Sequence, residues 1–366
     1  MSIAYPRRSQ YKVTVPARGL IAAALVLIAM WAFYWSSNGL AGMGDWATYR
    51  VFYDTGGGYL ARQGRDPAFV WLMSVAASTF GYEGYDAFRN VLFAVFSFIA
   101  ARWAYLARGF TPITALSIFA TLIVKCTVQI REGVAFFLLA WPLIGLYVHR
   151  PKGKPGHGRS IVGSLLGGVV AAFTHFGTSI FLGVWMGAGA LTLVPRKFLA
   201  WRYMPRTLLI FGVAAGLSLG ASIVIYPQPF ERLVLELTGG ASTIPQVFLF
   251  KILYWLTMGL LTIALGSQMV KAAVDCGPFG YAYAITLGRF ALPMVCSTCV
   301  FLVVSSFTLV NVTEWGNRIL VSLLELAIIL ITLRGRANYL TLLMSMLLLA
   351  NEARAFVPYW GLDPPV

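Results

Sequence analysis

The sequence predicts an all-α polytopic membrane protein, and three observations carry that expectation. Of 366 residues, 59% are hydrophobic and only 11% charged, whereas soluble domains carry roughly 25% charged residues. The mean hydropathy is +0.76. Runs such as 19–35, 207–225 and 290–310 are apolar on almost every face, and all-round apolarity over about 17–25 residues reads as a transmembrane helix.

Taken in chain order, the candidate spans are 19–37, 88–107, 112–129, 132–149, 160–177, 178–194, 206–226, 247–270, 281–310, 318–333 and 338–356, about 11 in all. Residues 1–18 carry Arg7, Arg8, Lys12 and Arg18 and are expected in the cytoplasm. The run that follows lacks a small-residue cleavage site and further spans come after it, so it reads as a retained first helix. Residues 19–356 form a single membrane domain with outer loops at 38–87 and 227–246, and 357–366 is an outer tail. Pro67–Phe80 is apolar but short for a span. Were it to cross, the basic loop His149–Arg159 would lie outside, against the positive-inside rule; it is therefore expected as a short non-spanning outer helix.

Several function classes fall away. The formal net charge is +15, but the basic residues cluster in short loops between spans, a topogenic pattern that implies no nucleic-acid partner. Cys126, Cys276, Cys296 and Cys299 suggest no disulfide framework, and the Cys296/Cys299 pair lies in an apolar helix with no second pair to complete a metal site. No carboxylate cluster has ligand spacing, so neither metal nor other cofactor is expected.

With those crossings nearly every acidic residue falls on the outer side, and the polar chemistry is expected there. In the segment Asp45–Asp66, helical spacing puts Asp45, Tyr49 and Tyr53 near one another, a carboxylate beside rings that suit sugar faces. An interfacial aromatic belt with solvated charges is the alternative. Arg131 and Glu132 open a span, where free N–H groups and an arginine fork favour an anion; Lys125 lies two turns away and adds positive charge. Arg131 paired with a neighbouring acid, or snorkelling to headgroups, would be the plainer reading. His175 sits at a tight junction of two apolar runs, suited to proton handling, phosphate binding or a helix–helix hydrogen bond. Arg318 begins a late span and repeats the logic of Arg131; together the two would cradle a diphosphate. The pairs Gly163/Gly167, Gly183/Gly187 and Gly216/Gly220 read as close helix packing.

These positions resemble the EpsG-type branch of the Wzy-like polysaccharide polymerases. The residues that carry the resemblance are Asp45/Tyr49, Asp66-Pro67-Ala68-Phe69, Arg131-Glu132-Gly133-Val134-Ala135, the basic loop His149–Arg159, Phe173-Thr174-His175, and Arg318, in that order. The chain departs from the family pattern in having Glu132 after the arginine, aspartate at position 66, and Thr174 between the aromatic and His175.

The resemblance implies a GT-C-like glycosyltransferase in the bacterial inner membrane that polymerises polyprenyl- (undecaprenyl-) diphosphate-linked repeat units into an O-antigen or exopolysaccharide. On that expectation Arg131, Arg318 and His175 hold the leaving diphosphate and Asp45 serves the acceptor hydroxyl. Tyr49, Tyr53, Asp66, Lys125 and Glu132 contact substrate. The partners expected are the lipid-linked oligosaccharide, membrane lipids, and a chain-length regulator or other polysaccharide-assembly proteins. A glycan ligase or other lipid-linked-sugar glycosyltransferase is the alternative, and a transporter or flippase of lipid-linked glycans a further one.

Overall fold

The computed structural model describes residues 14–37, 45–62, 64, 66–107, 111–148, 157–199, 204–225, 245–274, 276–305 and 310–353. Their regular structure is helical. In chain order the helices are α1 (Thr14–Ser37), α2 (Asp45–Asp54), α3 (Gly58–Arg62), α4 (Pro67–Phe80), α5 (Tyr85–Leu106), α6 (Pro112–Thr127) and α7 (Ile130–Val148). There follow α8 (His157–Thr174), a 3₁₀ turn (Phe176–Ser179), α9 (Ile180–Thr192), α10 (Met204–Ile225) and α11 (Pro245–Ala272). A continuous helical stretch then runs from α12 (Pro278–Ile285) through a π-helical turn (Thr286–Ala291) into α13 (Leu292–Ser305), before α14 (Val310–Leu333) and α15 (Tyr339–Ala353).

Proline starts several of these elements. Pro67, Pro112 and Pro278 each occupy the first helical turn, where a missing N–H breaks no intrahelical bond. At α6 the Thr111 hydroxyl also accepts the Thr114 amide at 3.3 Å, a side-chain cap.

α14 is the central post of the bundle. It packs against α6, α7, α11 and α13, and Leu320–Leu333 is buried throughout. Around it α1 pairs with α5, α7 with α8, α9 with α10, and α6 with α15. A smaller apolar cluster caps one end of the bundle, where α2 and α4 bring Tyr49, Phe52, Tyr53, Phe69 and Met73 onto Tyr85, Phe88 and Ile130. The segment expected as an outer loop thus carries three helices, α2 to α4. Its partner loop at 227–244 and the tail at 357–366 lie outside the described residues.

The expectation of about 11 spans and a GT-C-like architecture is corrected here. Among the described residues, 3 helical stretches are long and apolar enough to cross a membrane: Ala17–Ser36, Tyr85–Leu106 and Pro278–Phe301. Some of the other apolar runs form short helices or turn inward. α6 has 16 residues and α9 has 13, or about 24 and 20 Å of helix against a hydrocarbon core of about 30 Å. α14 is covered by protein on all sides over Leu320–Leu333, its Ser322 and Glu325 included. The assignment of loops to the two faces of a bacterial inner membrane depended on eleven crossings and falls with them. So does the polymerase that needed that topology to join repeat units on the outer face.

One backbone contact fixes how α11 meets the π-helical turn. A Cβ built on Gly266 would lie 2.0 Å from the Gly288 carbonyl oxygen, and one on Gly288 would lie 2.8 Å from that of Gly266. Only glycine at both positions permits this approach. Gly266→Ala is expected to destabilise the bundle by about 1–3 kcal/mol through overpacking. Gly189→Ala, where the added methyl meets open space, serves as the control. Thermal unfolding of both variants in detergent checks the difference; equal melting temperatures would refute it.

Candidate functional site

α6 and α7 meet in a tight reversal, and that reversal builds the site. Gly133 makes it: a Cβ there would stand 2.4 Å from the Lys125 carbonyl oxygen. The first turn of α7 therefore lies directly on the last turn of α6 and brings Glu132 to Lys125. The Lys125 ammonium is wholly buried and lies 2.6 Å from Glu132 Oε1, 2.9 Å from Glu325 Oε2 and 3.4 Å from Ser322 Oγ. The Ser322 hydroxyl donates to the same Glu132 oxygen. One cation thus ties three helices, α6, α7 and α14.

The neighbouring residue carries the second ion pair. Arg131 Nη1 donates to Asp66 Oδ2 at 2.7 Å. Asp66 is buried and is, among the described residues, the non-glycine residue with positive φ, at φ 50° and ψ 56°. That left-handed conformation costs about 1–2 kcal/mol in general, less for aspartate than for most residues. Asp66 stands at the N-cap of α4, yet its side chain makes no capping bond there. The carboxylate turns to Arg131, and the strained backbone is what lets it do so.

His175 completes the cluster from the α8–3₁₀ junction. Its amide donates to Ala171 O at 2.8 Å, and its carbonyl accepts the Thr178 amide at 3.0 Å and hydroxyl at 2.6 Å. The α8–α4 and 3₁₀–α14 contacts set this corner beside the ion pairs. These groups lie outside the three candidate spans. Burial, helped by the Arg131 charge, pushes the imidazole down to about 4, so the ring is neutral at neutral pH. Burial alone would raise Glu132, but the Lys125 ammonium, His175 and the hydrogen bonds from Lys125 and Ser322 outweigh it and hold the carboxyl near 2.

The structure therefore brings five of the residues singled out in the sequence into one place: Asp66, Lys125, Arg131, Glu132 and His175. Arg131 and Glu132, 17% and 13% exposed, form its partly exposed rim, while Lys125 is fully buried. Tyr49 and Tyr53 sit apart, buried in the cap. The Tyr53 hydroxyl donates to Gly81 O at 2.7 Å and its ring lies 5.8 Å from that of Phe88, so both tyrosines are packing residues here. The side chains of Asp45 and Arg318 lie outside the described residues. Their backbones are helical: Asp45 begins α2, and Arg318 stands one turn before Ser322 on the α14 face that also carries Glu325.

Glu325 and Ser322 were missed as site residues. The available signal was a glutamate inside an apolar run, with Ser322 and Arg318 three and seven residues before it on one face. Arg89 was also missed. Its Nε donates to Tyr34 OH at 3.1 Å and its guanidinium lies 5.2 Å from that ring, locking α5 to α1. Among the described residues, no group of three His, Cys, Asp or Glu side chains could hold a metal ion.

The cluster should make stability acid-sensitive with a defined sign. Between pH 6.5 and about 4 the unfolded chain binds a proton at His175 that the folded chain refuses, so stability falls as pH falls through that window. Glu132, ionised when folded down to about 2 against an ordinary 4.5, extends the loss to lower pH. His175→Gln is expected to remove the upper part of the loss alone, read as melting temperature against pH. An unchanged profile would refute the burial of a neutral ring.

No family model, no curated protein and no solved structure matches this chain, so the resemblance rests on its own motif residues.

Proposed function

We propose that the chain is a membrane-bound enzyme of the glycosyl-transfer class, acting on a lipid-linked oligosaccharide at the cluster of Asp66, Arg131, Glu132 and His175. One observation supports this reading above others. Ionisable side chains from five separate segments converge in a protein with only 11% charged residues. Charges withdrawn from water are expensive to keep, and in membrane proteins they mark working sites. The motif residues Asp66, Arg131, Glu132 and His175, which carry the resemblance, fall on this same cluster.

The chemistry follows from the groups at the rim. A sugar joined through phosphate is released when its anomeric C–O bond breaks and the bonding pair stays with the phosphate oxygen. Arg131 supplies positive charge for that oxygen, with Asp66 fixing the guanidinium's position. The acceptor hydroxyl forms the new bond at the anomeric carbon and loses its proton to a nearby acceptor. Glu132, ionised, and His175, neutral, offer the hydrogen-bond acceptors that orient that hydroxyl, while the departing phosphate oxygen can take its proton. The lipid tail of such a substrate matches a protein whose long apolar helices lie in a membrane.

The test is binding of a polyprenyl diphosphate to the purified protein in nanodiscs. Arg131→Ala is expected to weaken binding about tenfold or more, the loss of one charge-assisted hydrogen bond, and Arg131→Lys to recover part of it. Unchanged affinity in a folded Arg131→Ala protein, judged by its melting temperature, would remove the cluster from substrate binding.

A further inference from the structure

We propose that α4 (Pro67–Phe80) is a membrane-docking helix that lies in the plane of a lipid bilayer surface, with Trp71 as its anchor. Its sequence, PAFVWLMSVAASTF, contains no charged residue. One face belongs to the cap, with Phe69, Met73 and Ala76 buried. The opposite face is open: Trp71 is 67% exposed, and Val75 is exposed as well. The Ser78 and Thr79 hydroxyls are satisfied within the helix, both donating to Val75 O, at 2.8 and 2.7 Å. Hydroxyls already bonded to their own backbone enter an apolar phase at little cost.

Continuity identifies a bilayer as the partner. α4 leads through Gly81–Gly84 directly into α5, one of the helices long enough to cross a membrane. On α5 the exposed side chains of Val91, Val95 and Phe98 follow one another at helical spacing, as a lipid-facing stripe does. The open face of α4 therefore adjoins a surface that lipid covers. Its 14 residues reach about 21 Å, too short to cross a core of about 30 Å, so the helix lies along the membrane rather than through it. Trp71 and the exposed Tyr82 are the residue types that settle at headgroup level. Exposed Arg62 before the helix, and Glu83 and Asp86 after it, hold its two ends toward water.

The placement has a consequence for the charged cluster. Asp66, which precedes α4 and holds Arg131, then stands at the membrane surface, and an amphiphile meets Arg131 without leaving the lipid phase. That consequence rests on the function proposed above; the docking itself does not.

The test is nitroxide accessibility in vesicles of phosphatidylethanolamine and phosphatidylglycerol. The four native cysteines are buried, so labels on Trp71→Cys and Val75→Cys are selective. Phe98→Cys on α5 gives the hydrocarbon reference and Asp54→Cys on α2 the aqueous one. Labels at 71 and 75 are expected to show a several-fold higher ratio of oxygen to water-soluble nickel collisions than the label at 54, at a shallower depth than the label at 98. A ratio at 71 and 75 equal to that at 54 overturns the proposal. Each labelled protein's melting temperature confirms that it is folded. Polyprenyl diphosphate binding, measured on the same preparations, reads the substrate proposal separately, so the failure of one is distinguishable from failure of the other.

Discussion

The Lys125 ammonium, buried between the Glu132 and Glu325 carboxylates, is the constraint on which the rest of the arrangement depends. Removing Lys125 would leave two carboxylates in the interior without their cation, at a cost of about 3–5 kcal/mol. The contact fixes the last turn of α6, the first turn of α7 and the middle of α14 against one another. Once Glu132 is placed, its neighbour Arg131 is placed too, and Arg131 in turn reaches Asp66 at the head of α4. The aromatic cap and the charged cluster are therefore one construction, joined through two consecutive residues of α7.

The same construction accounts for the backbone at Asp66. A left-handed aspartate with an unused cap position would be a poor way to start a helix in isolation. Its carboxylate is needed 65 positions along the chain, at Arg131, and the local strain is offset by that charge-assisted bond. Strain of this kind persists where surrounding structure over-determines it. The turn before α4 is held by the α7 terminus as much as by its own sequence.

Apolarity in this chain has two origins that hydropathy does not separate. α5 is apolar and presents Val91, Val95 and Phe98 outward, as a lipid-facing helix does. α14 is just as apolar, but its residues from Leu320 onward are buried by α6, α7, α11 and α13. α9 is apolar and stops after 13 residues, before the turn that leads to Pro195. Reading all three as spans produced the count of eleven, and with it a sidedness and a polymerase topology that the described helices do not carry.

The sequence by itself determined that the chain is helical and rich in long apolar runs, and which few polar residues interrupt them. Asp66, Lys125, Arg131, Glu132 and His175 stood out on that ground, because a charge in an apolar run is visible locally. Only the tertiary structure decided what each of them meets. Lys125 finds Glu325 at a distance of two hundred positions, Arg131 finds Asp66, and Tyr49 and Tyr53 pack in the cap. Hydropathy and helix starts are properties of a residue and its near neighbours. The partner of a buried charge, and whether an apolar face is covered by protein or by lipid, follow from which helices pack together, and no local pattern records that.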